Sequence, residues 1–150
     1  MSPRAACRLE ALGFEQVYDY APGKVDWLAH GLPTENEGKL PERAGDVADD
    51  RVVTCGLDDQ VGPVRAKVAG SPFGFALITT DNGVVCGRLR KAVLEGDPEA
   101  RAEDVMEPGP STVRPHVPLD GLHKRLAERN LRFAIVTTPE GRLLGVVRRP

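Results

Sequence analysis

The sequence predicts a mixed α/β (α+β) fold in which two β-α-β-β-α repeats are related by a pseudo-twofold axis, with a short helix-strand-helix extension ahead of them. Three observations carry that prediction. FALITTDNGVVCG at 75–87 returns as FAIVTTPEGRLLG at 133–145, a gapless offset of 58 residues that also maps Ala44, Asp46 and Val47 onto Ala102, Asp104 and Val105, Thr54 onto Thr112, Ala69 onto Ala127 and Arg90 onto Arg148. A register held that long marks an internal repeat, each copy being a unit whose apolar face needs its neighbour. Second, ALIT and AIVT are apolar on consecutive positions, so both faces of their sheets must be covered. Third, an apolar helical stripe precedes each hairpin.

At the start of the chain, Ser2-Pro3 followed by Ala5, Ala6, Leu9 and Leu12 and closed by Gly13 predicts a helix with an N-cap, a proline at its first position and a glycine stop. FEQVYDY at 14–20 has strand composition, and VDWLAH at 25–30 reads as a second helical piece ending at Gly31. LPTENEGKLPER, with two prolines and one glycine, reads as a linker. These short elements cannot enclose a core alone, so Phe14, Tyr18 and Trp27 are the expected contacts with the rest of the chain. In the first copy Asp58 or Asp59 is placed to cap a helix whose apolar positions are Val61, Val64 and Val68, closed by Gly70; Leu119, Leu122 and Leu126 repeat the pattern in the second. Gly83 and Gly141 supply the positive φ of two hairpin loops, DNG and PEG. AVL at 92–94 begins another helix. Two such units bury their bare sheet faces on each other, and clefts form where the sheets meet.

Composition narrows the function. A formal charge of −2, from 20 basic and 22 acidic residues, gives no general attraction to nucleic acid or to an anionic membrane. No apolar run approaches the ~18 residues of a membrane helix, and no signal-peptide pattern is present, so a cytoplasmic chain is expected. Cys7, Cys55 and Cys86 form neither a disulfide framework nor a CxxC pair and read as small buried apolar residues. No Cys or His pair, with His30, His116 and His123 included, has a zinc-site spacing, so no metal is expected. Neither a catalytic triad nor a GxxxxGK[ST] phosphate loop occurs, and no enzymatic activity is expected.

DVMEPGPSTVRP at 104–115 and GRLLGVV at 141–147, with the more worn DVADDRVVTCG in the first copy, resemble the cystathionine-β-synthase-type (CBS) domain. The resemblance covers about residues 43–150 and divides the chain into 1–42, a first repeat at 43–101 and a second at 102–150 that ends before its last helix. It implies a regulatory pair that dimerises into a flat disc and holds adenine nucleotides in its clefts. The N-terminal stretch SPRAACRLEALGFEQVYDYAPGKVDWLAHGLPTE resembles the closing part of a rhodanese-type domain, without the loop that carries that family's persulfide cysteine; Cys7 is read as helix packing.

In nucleotide-holding CBS modules the hairpin exit reads G-h-h-[ST]-x-x-D. Here Arg90 stands at the Ser/Thr place and Val93 at the Asp place, while the second copy reads Gly145-Val146-Val147-Arg148-Arg149-Pro150. A missing ribose carboxylate removes roughly 1.5–3 kcal/mol, one or two orders of magnitude in affinity. Arg90 and Arg148 remain as guanidinium forks suited to phosphate. The candidate ligand-binding residues are Thr54, Cys55, Arg88 and Arg90 from the first copy and Thr112, Val113, Arg114 and Arg148 from the second. Two readings stay open: a sensor of an adenine nucleotide or another phosphorylated small molecule, and a homodimerisation or interaction module whose arginines pair with Asp or Glu in empty clefts. A fragment of a sulfurtransferase is the third.

Overall fold

The computed structural model describes residues 3–18, 21–33 and 41–150, with side chains from residue 6 onward. The expected cap Ser2, the last two residues of the FEQVYDY stretch and most of the expected linker, 34–40, lie outside them.

The chain runs α1 (Pro3–Ala11), α2 (Gly23–Ala29), β1 (Val53–Cys55), α3 (Val61–Ala69), β2 (Ala76–Thr79), β3 (Val85–Leu89), α4 (Lys91–Leu94), α5 (Ala102–Val105), β4 (Glu107–Pro108), β5 (Thr112–Val113), α6 (Leu119–Glu128), β6 (Phe133–Thr137) and β7 (Leu143–Arg148). Two sheets form, with orders β1-β2-β3-β4 and β5-β6-β7. In each, a parallel pair is followed by an antiparallel hairpin, Val53 against Ala76 and Thr112 against Ile135 being the corresponding parallel partners. Gly83 (φ 77°) and Gly141 (φ 85°) make the hairpin turns as expected.

Strand alternation explains the consecutive apolar runs. Ala76 and Ile78 of β2 face Val61, Val64 and Val68 of α3, and Ala134 and Val136 of β6 face Leu122 and Leu126 of α6. The intervening residues, Phe75, Leu77 and Ile135, point the other way and meet in a seam between the sheets, joined by Val52, Phe73 and Val146. A fully buried side chain of this size contributes roughly 1.5–3 kcal/mol, so the seam outweighs the exposed ion pairs as the source of cohesion. At its centre Val84 bridges Arg142, residues one repeat offset apart, so the pseudo-twofold passes between them; Val85 N–H donates to Gly141 O (3.0 Å) and Leu143 N–H to Gly83 O (2.9 Å).

The opening segment of each copy is exchanged. Ala44 is completely buried in the core under α6, and Ala102 in the core under α3. Ala44 N–H donates to Val117 O and Ala102 N–H to Asp59 O, both 2.8 Å; Leu119 N–H donates to Glu42 O (2.8 Å) and Val61 N–H to Ala100 O (3.0 Å). β4 then pairs with β3 through Arg88–Glu107 and Gly87–Pro108, while Asp49 forms the matching bridge to Val146 of β7. This exchange also corrects the capping expectation. The N-cap of α3 is Gln60 without a side-chain bond, and the first free N–H groups of the helix go to Ala100 O and Pro98 O. Asp59 instead accepts from Gly56 N–H (2.9 Å), and Asp58 pairs with Arg101.

The N-terminal extension departs from expectation in two places. Residues 14–18 form no strand and pair with none among the described residues, and Phe14 and Tyr18 are 58% and 80% exposed. Cys7 is exposed as well, whereas Cys55 is buried. The docking is done by α2. Ala29 is buried, Trp27 Nε1–H donates to Pro33 O (2.8 Å), and His30 lies between the Asp26 carbonyl on Nδ1 (2.9 Å) and Glu140 Oε1 on Nε2 (2.8 Å). With an acceptor at each nitrogen the imidazolium suits the site, and the hydrogen bonds to Asp26 and then Glu140 raise the His30 pKa.

The exchange needs bare backbone where it crosses the hairpin. Gly145 has φ 152°, and a Cβ there would lie 2.9 Å from Asp49 O and 3.1 Å from the Ala48 carbonyl carbon. Gly145→Ala is therefore expected to destabilise the fold by about 1–3 kcal/mol, because backbone must move, whereas Gly74→Ala, with open space around it, changes little. Chemical denaturation of both variants measures the difference.

Candidate functional site

Two clefts flank the seam at positions related by the repeat offset, one beside Arg90 and one beside Arg148. β3 and β7 carry these arginines to their ends, where the exchanged opening segments cross.

The Arg90 cleft is lined by Gly74, Phe75, Arg88, Lys91 and Leu131. Its two arginines converge on one carboxylate. Glu107 Oε2 accepts from Arg88 Nη2 (2.7 Å) and Nε (3.2 Å) and from Arg90 Nε (2.7 Å), and Oε1 accepts from Arg90 Nη2 (2.9 Å). Hydrogen bonds from Arg90 and then Arg88 hold the Glu107 carboxyl at about 2. The guanidinium forks that suit a phosphate are thus occupied by a carboxylate of the second copy's exchanged strand.

The Arg148 cleft, about 280 Å³, is built differently. Asp49 occupies the place equivalent to Glu107, but Val146 stands where Arg88 does, and the Asp49 carboxylate turns to Arg51, accepting from Nε (3.0 Å) and Nη2 (2.7 Å). Arg51 holds Asp49 at about 2, with a small contribution from the charge of Arg148. Arg148 itself donates from Nη2 to Pro72 O (2.6 Å), and its guanidinium lies 5.7 Å from the ring centre of Phe73 and 5.6 Å from that of Phe133. Phe73, Phe75 and Phe133 form a triangle with ring centres 5.3–5.9 Å apart. Among the described residues no carboxylate lies within ion-pair distance of Arg148. Arg148 is a cation held on an aromatic platform at the mouth of a cleft that also contains His123.

The remaining candidates fall elsewhere. Thr54 is exposed on β1, and Cys55 faces the core of the first copy, where burial pushes its thiol up to about 11. Thr112 and Val113 line a separate groove with Arg125, Arg129 and Leu131, which shares Phe133 with the Arg148 platform and Leu131 with the Arg90 cleft. Arg114 is spent inside the fold, its Nη1 donating to Thr137 Oγ1 (2.6 Å) and Thr138 O (2.9 Å). The structure therefore brings Arg88 with Arg90, and Thr112 with Val113, but does not gather either copy's set into one cleft. Asp49, Glu107 and the phenylalanine triangle are the participants that sequence reasoning missed. The signal for the first two was present, since both are acidic and stand one repeat offset apart.

Residues 102–149 match the family model of the CBS domain. No curated protein matches the chain. Among solved structures it is similar to the cytosolic domain of the Mg2+ channel MgtE in complex with ATP (TM-score 0.64, 21% identity, covering 71% of this chain and 46% of that one). It is similar also to the CBS domains of a transcriptional regulator from Streptococcus pneumoniae (TM-score 0.64, 16% identity, 75% and 95%) and to a CBS domain protein from Pyrobaculum aerophilum complexed with AMP (TM-score 0.59, 18% identity, 71% and 86%). The fold is that of a CBS-domain pair. The chain spans less than half the length of the MgtE cytosolic domain.

The Glu107 arrangement has a pH signature. Its carboxyl sits at about 2 in the folded protein against an ordinary 4.5, so its stabilisation is complete above about pH 4.5 and is lost as pH falls from there towards 2. Glu107→Gln is expected to be less stable than the wild type at pH 7 and indistinguishable from it near pH 2. Thermal melts from pH 7 to 2 check this, and the gap should narrow in high salt because the groups are exposed.

Proposed function

We propose that the chain is a non-catalytic regulatory module that holds an anionic small molecule, an adenine nucleotide foremost, in the cleft beside Arg148. The observation that carries the reading is the contrast between the two clefts. Arg88 and Arg90 both donate to Glu107, while Arg148 is positioned on Phe73 and Phe133 with no carboxylate within ion-pair distance among the described residues. A guanidinium so placed offers a phosphate a charge-assisted donor, and the neighbouring rings offer a base an apolar surface. Two of the similar structures, the MgtE domain and the Pyrobaculum protein, are complexes with ATP and AMP, which supports this ligand class.

In this reading residues 43–101 and 102–150 are the two repeats, the module is a cytoplasmic homodimer, and 1–42 is an appended segment related to the end of a rhodanese-type domain. Its part is to couple the repeats to whatever the module regulates. No helix among the described residues is long and apolar enough to cross a membrane.

Calorimetric titration with AMP, ATP and S-adenosylmethionine at up to millimolar concentration tests the proposal. Saturable binding of one of them is expected, weakened about tenfold or more by Arg148→Ala and little affected by Arg90→Ala. Absence of any response in the wild type would leave the second reading, a dimerisation module with empty clefts, and sedimentation equilibrium would then test the dimer directly.

A further inference from the structure

We infer that a small carboxylate ligand binds in the pocket between α2 and the second copy, bridging Arg43 and His116. The pseudo-twofold supplies an internal control for this site. In the first copy Arg101 Nη2 is paired with two carboxylates, Asp58 and Glu103, the latter at 2.8 Å. One repeat offset away the same arginine is Arg43, but the residue in the place of Asp58 is His116 and that in the place of Glu103 is Gly45. Arg43 has therefore lost both acidic partners, and no carboxylate lies within ion-pair distance of its guanidinium among the described residues. A half-buried arginine without a counter-ion is costly, and an oxyanion supplied from solution restores what the first copy builds in.

Three further features point to a ligand here. Arg43 and His116 line one pocket of about 420 Å³, together with Ala29, His30, Asp46 and Thr138. His116 Nδ1 is buried without a hydrogen-bond partner, and the tautomer with a proton on Nδ1 has a donor to offer an anion there. Of the acidic groups nearby, Asp46 Oδ2 accepts from the Arg43 backbone N–H (2.9 Å), and Glu140 and Asp26 lie on His30 (2.8 and 3.3 Å), so none pairs with the Arg43 guanidinium. The partners missing relative to the first copy are carboxylates, and there are two of them, which favours a carboxylic acid, a dicarboxylate above a monocarboxylate. The pocket roof is the end of α2, so the ligand would fasten the N-terminal segment to the second copy. This site lies apart from the Arg148 cleft and does not depend on nucleotide binding there.

The test is a thermal-shift and calorimetric titration of the full chain with succinate, acetate and inorganic phosphate, against sodium chloride at matched ionic strength. Succinate is expected to bind saturably and raise the melting midpoint, acetate to bind more weakly, and chloride to do neither. Arg43→Ala and His116→Asp should each weaken succinate about tenfold or more. His116→Asp gives Arg43 the partner that Arg101 has, so it should also raise the midpoint without ligand, with far-UV circular dichroism confirming an unchanged fold. Arg148→Ala should leave succinate binding intact, which separates this site from the nucleotide cleft. The inference is overturned if succinate gives no saturable response, if both Arg43→Ala and His116→Asp bind it as the wild type does, or if phosphate alone binds.

Discussion

The exchange of opening segments across the pseudo-twofold is the constraint on which the rest of the structure depends. Ala44 and Ala102 are each completely buried in the other copy's helix-sheet core, and each is fastened by a 2.8 Å backbone hydrogen bond to the residue two places ahead of the partner helix. Neither copy completes its own core, and neither α3 nor α6 satisfies its first backbone donor without the segment leading into the opposite copy. The sequence repeat is therefore not a folding unit. The two sheets are held face to face by the phenylalanine seam and locked in place by the crossing segments, whose backbone approach to β7 requires glycine at 145, while at Gly87 a Cβ would meet the Met106 side chain.

A fold so closely symmetric makes its asymmetries informative. Where corresponding residues agree, as with the paired hairpin glycines or Leu77 and Ile135, the role is packing. Where they differ, charge is redistributed without disturbing the backbone. Arg88 becomes Val146, and the carboxylate that two arginines grip in one cleft is surrendered to Arg51 in the other. Asp58 becomes His116, and a neutralised arginine becomes an unpaired one. Differential pairing of this kind leaves one arginine of each corresponding pair bound to a carboxylate and the other without one in ion-pair distance among the described residues.

The parts legible in the sequence are those set by local pattern and by repetition. The helices at 61–69 and 119–128, both hairpins and the stacking of two apolar sheet faces follow from residue spacing and the turn glycines. What escaped were contacts decided by the exchange. Asp58 and Asp59 had suitable chemistry for a cap, but backbone carbonyls of Pro98 and Ala100 reached the helix first. Residues 14–18 had strand composition but pack on no strand among the described residues, and strand propensity expresses packing on a neighbour more than a backbone preference. The candidate residues were scattered for a related reason: Arg114 and Cys55 point into the fold, and which face a residue on a short strand presents is set by the sheet pairing.

Native-state hydrogen exchange at the Ala44 and Ala102 amides tests the central claim most directly. If the crossed segments hold the two copies as one unit, both amides exchange only through global unfolding, with the same free energy as the β2 and β6 amides and the same denaturant dependence. Exchange of either amide at a much lower free energy, while β2 and β6 stay protected, would show that the opening segments detach locally and that each copy stands on its own core.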